Sequence, residues 1–336
     1  MRSDRILLAH GSGGTLMREL IEDVFMHDFD DDILSRADDA AVLDVPVGRI
    51  AMSTDTYVVS PLEFPGADIG RLAVCGTVND IATAGAKPLY LSVGFVLEEG
   101  FEVEVLRRIL VSMHDSAAEA GVRIVTGDTK VVEKGHGDGC YINTAGIGVV
   151  AHGVDLSGSH CRPGDVVLLS GTLGDHGIAV ISVREGLKFG TDILSDAAPL
   201  NHLIAAVLDA APDARCFRDP TRGGLASTLN ELAGASGVSI DVDETAVPVR
   251  DQVRGACEML GYDVYQVANE GKMVAVVPAE QAQAALEAMR SAPYGGDAAI
   301  IGEVADGAAG KVYVRTAFGA RRIMDMLVGE QLPRIC

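Results

Sequence analysis

The chain has 336 residues, 48% of them hydrophobic, and sets 48 acidic side chains against 27 basic ones for a net charge of −21. That much apolar material supports substantial cores in two domains and excludes a disordered chain. The acidic balance argues against a nucleic-acid partner, whose phosphates need clustered Lys and Arg, and no run approaches the roughly eighteen uncharged apolar residues of a membrane span.

After "HGSGG" at 10–14, Leu16, Leu20, Ile21 and Val24 recur at helical spacing and predict a helix over 15–27. "FDDD" at 29–32 reads as a solvated loop. The half-alternating run 49–59 is a strand ending near Asp55. "DIGRLAVCGTVNDIATAGA" predicts a helix over 68–86, with Asp68 as N-cap and Gly85 at its end. Then come strand "PLYLSVGFVL", an amphipathic helix over 102–119, strand "VRIVTGDTKVV" and strand "INTAGIGVVAHG". "CRPGDVVLLSG" opens a second unit, with helices near 175–185 and 198–210. "DPTRGGLASTLNELAGASG" is a loop leading into a helix. Strand "KMVAVVP", helix 279–290 and strands "AAIIGEV" and "KVYVRT" follow. Strands occur both in adjacent pairs and alternating with helices, which predicts an α+β fold with mixed sheets and not a doubly wound parallel one. The expected division is 1–153, 154–329 and a tail over 330–336 without periodicity.

The phosphate-loop pattern GxxxxGK[ST] is absent, as are HExxH and GxSxG, and "HGSGGTL" lacks the third glycine of GxGxxG. The six cysteines are widely spaced, with no CxxC, and the N-terminus lacks a secretory core, so a reducing cytoplasmic setting fits. What remains is a dispersed set of acids beside glycines and turns: Asp38 and Asp39, Asp55, Asn79 with Asp80, and Asp128 followed by Lys130. Carboxylates from separate segments suit magnesium on a nucleotide, with "HGSGG" amides meeting its phosphates. Each acid also has a plain structural reading, as turn residue or strand terminator. Asp80 is the exception, since an acid amid small apolar residues risks burial and then needs a partner. In "DPTRGGL", Asp219 and Pro220 make a helix start, while Arg222 beside Gly223 and Gly224 suits either close packing or a phosphate clamp. The final Cys336 is either a loose end or a reactive handle. Its own α-carboxylate opposes thiolate formation, which makes the free tail a sluggish nucleophile.

"HGSGG", "DDAAVL", the long block 53–88, "VTGDTKVV", "DPTRGGLASTLNELA", "ANEGK" and the ending "PRIC" resemble the HypE family of hydrogenase maturation factors. That family sits in the superfamily of aminoimidazole ribonucleotide synthase, selenophosphate synthetase and thiamine-phosphate kinase. The resemblance implies two α+β domains, a homodimer formed by the N-terminal sheets as a barrel-like unit, and ATP with Mg2+ at that junction. It implies ATP-dependent dehydration of a carbamoyl group on the terminal cysteine to a thiocyanate, the group arriving from the carbamoyltransferase HypF and the cyanide leaving to a HypC–HypD scaffold. By the same resemblance Cys336, Lys130 and Glu270 are catalytic. His10, Gly11, Gly13, Gly14, Asp55, Asn79, Arg222, Gly223 and Gly224 bind nucleotide, and Asp38, Asp39, Asp55, Asp80 and Asp128 bind metal. The alternatives are another ATP-using member of the superfamily, disfavoured because no cysteine precedes "HGSGG", or a non-catalytic scaffold.

Overall fold

The computed structural model describes residues 4–11, 14–36, 40–187, 193–326 and 334–336. Gly13, Asp38, Asp39 and the tail before Arg334 lie outside the described residues. Helix α1 (Gly14–Leu20) runs through a π-helical stretch (Ile21–Met26) into the short α2 (His27–Phe29), so the helix expected over 15–27 is widened in its middle. The first half continues with β1 (Ile50–Tyr57), β2 (Glu63–Phe64), β3 (Ala67–Asp68), α3 (Ile69–Thr83), β4 (Ala86–Glu98), α4 (Val103–Ala120), β5 (Arg123–Val132) and β6 (Cys140–Val150). Four of these strands form a sheet in the order β1-β6-β4-β5, parallel only between β4 and β5.

Helix α3 begins where the sequence says it should. Asp68 is extended and its Oδ1 accepts the Arg71 N–H at 2.8 Å, and the same oxygen takes the Ser112 hydroxyl from α4. Small residues let α3 lie close across β1, β6 and β4. The hydroxyls of Thr77 and Thr144 meet at 2.6 Å, and Thr144 also donates to the Ala73 carbonyl. Leu72, Val74 and Val78 are fully buried, each side chain contributing about 1.5–3 kcal/mol of burial free energy as an upper bound.

Strand register decides which side chains share a face. Asp55, Thr144, Val93 and Gly127 form one row across the sheet, and Thr56, Asn143, Gly94 and Asp128 form the next. Adjacent rows point to opposite faces. The Asp55 row faces α3. The Asp128 row belongs to the other, uncovered face, which also carries Met52 at 73% exposure.

The second half comprises β7 (Val166–Leu169), α5 (Asp175–Arg184), α6 (Asn201–Ala210), β8 (Cys216–Arg218), α7 (Gly224–Ser236), β9 (Ser239–Asp243), α8 (Asp251–Leu260), β10 (Val274–Val277), α9 (Ala282–Ser291), β11 (Ala299–Ala305), β12 (Lys311–Arg315) and β13 (Arg321–Ile323). Its seven strands lie in the order β13-β12-β9-β11-β7-β10-β8, parallel only between β12 and β9. Mixed pairing in both sheets bears out the α+β expectation. The sequence reading passed over β8, β9, α8 and β13. Asp128 lies inside β5, within the strand the sequence predicts.

The halves are sewn together through the segment before α6. Arg71 Nε donates to the Ala197 carbonyl at 2.7 Å, and Asn79 bonds both the Ala198 carbonyl and the Leu200 N–H. Asn79 was expected to bind a cofactor. Its carboxamide is buried and engaged at both ends, so it presents nothing to a ligand.

Candidate active site

A cavity of about 460 Å³ opens between the β1 edge of the first sheet and the β8–α7 connection of the second, lined among others by Asp55, Asp80, Asp219, Arg222, Glu270 and Cys336. Three elements aim the acids inward. The face alternation of β1 turns Ser53, Asp55 and Tyr57 toward α3, and Tyr57 donates to Asp55 at 3.3 Å. Asp80 sits in the last turns of α3 and accepts the Ser53 hydroxyl at 2.7 Å. Glu270 follows Asn269, whose amide bonds the Pro220 and Val267 carbonyls and whose oxygen takes the Gly174 N–H, so "ANEGK" and "DPTRGG" form one braced unit.

The electrostatics follow from burial and like charge. Burial and then the Asp219 carboxylate push the Asp80 carboxyl from 3.8 up to about 7, against the opposing Ser53 hydrogen bond. Burial, with Asp219, Asp196, Asp55 and Asp80 around it, raises Glu270 well above the ordinary carboxylate range. Its Oε1 is buried without a hydrogen-bond partner. Burial foremost, then Glu270, pushes the Cys336 thiol up to about 12, with Arg222 pulling it the other way. The seated thiol is therefore neutral, and the cavity favours uncharged groups on that sulfur.

The last three residues run antiparallel to the chain after β1. Val58 N–H donates to an α-carboxylate oxygen of Cys336 at 3.2 Å, and Ser60 N–H to the Arg334 carbonyl at 3.4 Å. Arg334 pairs with Asp138 at 2.8 Å, and Ile335 is 3% exposed. Cys336 is thus seated in the same cavity as Glu270 and the acids.

Not every expected residue is there. Asp128 and Lys130 project from the uncovered sheet face at the β5 edge, Nζ 2.6 Å from both Asp128 oxygens. Asp55 lies on the opposite face three strands away, roughly 14 Å across the sheet. Within one chain the acids therefore divide into two groups and do not converge as the sequence suggested. His10 is buried, its Nδ1 accepting the Leu7 N–H at 3.0 Å and its own N–H donating to the Leu7 carbonyl, so it closes a turn and is no ligand contact. Burial lowers its pKa. Gly11 packs on the β5 edge, where a Cβ would come 2.7 Å from the Val131 nitrogen. Gly14 opens α1.

Helix α7 does not begin at Asp219–Pro220 but at Gly224, which has φ +58° and whose Cβ would lie 2.6 Å from the Tyr265 and Val267 carbonyls. Its N–H donates to Thr221, so Gly224 serves the turn and not a phosphate. Gly223, also left-handed, caps the helix. This moves Asp219 out of the helix and into the cavity. The sequence reading had it only as a helix start, although its place three residues before Arg222 was the available signal. Nothing in the sequence marked Ser53 or Tyr57.

Magnesium prefers hard oxygen donors, and Asp55, Asp80 and the orphaned Glu270 oxygen fit that chemistry. Among the described residues no three His, Cys, Asp or Glu side chains form a ready metal cluster, so an ion here would draw its remaining ligands from water or substrate oxygens. Among the described residues, also, no helix is long and apolar enough to cross a membrane.

Residues 37–150 match the family of AIR synthase related proteins in its N-terminal domain, and residues 162–315 match its C-terminal domain. The chain is 55% identical over 336 residues to the carbamoyl dehydratase HypE of Azotobacter vinelandii, covering 100% of this chain and 98% of that one. A crystal structure of the hydrogenase maturation protein HypE in complex with ATP superposes with a TM-score of 0.95 at 51% identity, covering 98% of this chain and 99% of the other. A structure of a HypE–HypF complex superposes with a TM-score of 0.81 at 51% identity, covering 92% and 99%.

Proposed function

The chain belongs to the AIR synthase related family and, within it, to the HypE carbamoyl dehydratases of hydrogenase maturation, and from that premise we propose how its residues serve the reaction. A carbamoyl group on the Cys336 sulfur, S–C(=O)–NH2, becomes S–C≡N as ATP becomes ADP and phosphate with release of one proton. The carbamoyl oxygen leaves in the phosphate, and both N–H protons go to bases. The observation that carries this reading is Cys336 seated in one cavity with Asp55, Asp80, Asp219 and Glu270.

Glu270 is the base within the chain. A carboxyl whose ionisation is suppressed by burial binds a proton strongly once ionised, and it lines the same cavity as the sulfur whose carbamoyl carbon bears the amide nitrogen. The buried, acid-lined cavity suits the uncharged thiocarboxamide and thiocyanate and disfavours a bare thiolate. Arg222 faces the same space and suits phosphate oxygens. Asp55 and Asp80 would hold Mg2+, which when bound supplies charge neutralisation at the phosphates.

Asp128 and Lys130, with Asp38 and Asp39, form the other half of the site, contributed across a homodimer in which the uncovered sheet faces meet. The exposed apolar Met52, Ile50 and Val96 of that face support such pairing. Lys130 is then the second base, and Gly11, Gly13 and Gly14 line the phosphate side. Units 1–153 and 154–329 are the two domains. The carbamoyl donor is HypF, the acceptor a HypC–HypD complex, and the setting the cytoplasm.

The test is mass spectrometry of the peptide containing Cys336 after incubation with the carbamoyl donor. A carbamoyl adduct converts to the cyano form only when ATP is added. A carbamoyl adduct that survives ATP unchanged would overturn the reading.

A further inference from the structure

His176 is fully buried on α5, 5.5 Å edge-on from the Phe64 ring, and takes no part in the chemistry described above. Its Nε2 lies 2.8 Å from the Ile335 carbonyl, one residue before Cys336, and its Nδ1 lies 2.9 Å from Ser195 Oγ. A carbonyl only accepts, so Nε2 carries the proton and Nδ1 accepts from the Ser195 hydroxyl. Ser195 Oγ in turn accepts the Ala197 N–H at 3.2 Å, and the Ser195 N–H is anchored on the Pro65 carbonyl at 2.7 Å. The next residue, Asp196, accepts the backbone N–H of Glu270 at 3.0 Å and pairs with Lys272 at 3.2 Å. One short segment thus reaches the residue before the sulfur on one side and the backbone of the proposed base on the other.

We propose that His176, oriented by Ser195, is a positioning residue that seats Ile335 and so registers Cys336 against Glu270, which Asp196 holds from the same segment. This assignment rests on the reading of Cys336 as the cargo-bearing thiol, but its direct consequence is physical and precedes any chemistry. Removing the Nε2 donor frees the last three residues more often and exposes the thiol. Arg184, whose guanidinium meets the Arg334 and Ser60 carbonyls, retains part of the seating.

The experiment measures alkylation of Cys336 by iodoacetamide in the full chain, without carbamoyl donor or ATP, followed by peptide mass spectrometry. In His176→Phe the rate at Cys336 rises about tenfold, the loss of roughly one buried hydrogen bond. In Ser195→Ala, which removes no bulk, it rises about threefold, and in His176→Gln, which keeps a donor near Nε2, it stays near wild type. ATP affinity serves as the folding control and is unchanged in all three. Rates equal to wild type in both His176→Phe and Ser195→Ala overturn the assignment, as does a His176→Gln rate matching His176→Phe. Failure of the carbamoyl reading itself would show separately, as wild-type protein that yields no nitrile.

Discussion

Two acidic groups near opposite edges of the first sheet behave oppositely. At the β1 edge, Asp80 and Glu270 are packed among other carboxylates, and burial raises both. At the β5 edge, Asp128 is 66% exposed and already paired with Lys130. Both groups are carboxylates. The covering layer differs: α3 and the second half close over the first group, while none of the described residues covers the second. A carboxylate becomes a chemical tool where water is excluded and its neighbours repel it.

The comparison can be broken from the buried side first. Cys336→Ala should abolish nitrile formation altogether while ATP binding persists, read by isotope-labelled cyanide release and calorimetry. Glu270→Gln should lower the single-turnover rate by roughly 10²–10⁴-fold, the usual contribution of a positioned base. Its melting temperature should hold or rise, because an unpaired buried carboxyl is replaced by a neutral amide; a large loss of stability would show that Glu270 is a packing element.

Mixing the two regions sharpens the contrast. Cys336→Ala and Lys130→Ala chains, each inactive alone, should regain about a quarter of wild-type activity after mixing if random pairing makes half the dimers mixed, each with one intact site. No recovery would show that Lys130 of one chain does not complete the Cys336 site of the other.

The pH dependence comes next. The seated thiol is raised from 9.0 to about 12, so seating is undiminished below the ordinary value and weakens as pH climbs from there toward 12. The fraction of released tail should grow by up to about tenfold per pH unit above 9, and limited proteolysis after Arg334 would report it. The smallest effect belongs to the exposed pair: Asp128→Asn should change unfolding free energy by no more than about 1 kcal/mol, as surface ion pairs do.

Local signals were easy to read wherever a few neighbouring residues settle the outcome. Asp68 capping α3, the fully apolar β10 and the amphipathic α4 all follow from side chains within one element. Strands of three to five residues such as β8 and β9 carry too few alternations to register, and the polar α8 shows only three buried residues. Asn79 misled because the acid beside it is a site residue, yet one step along a helix turns a side chain by about 100°, here from the cavity into the joint with the second half. His176 and Asp196 left no trace in the sequence, since their partners lie 159 and 74 residues away.

The sequence by itself determined the α+β class, the family, the chemistry-bearing motifs and the identity of Cys336 and Glu270 as residues to watch. Only the tertiary structure decided that Asp55 and Asp128 face opposite ways, that Asp219 joins the cavity, and that Cys336 is seated in it. The physical reason is that propensity and spacing act over a few residues, whereas strand register, burial and the meeting of two halves are set by contacts between segments far apart in the chain.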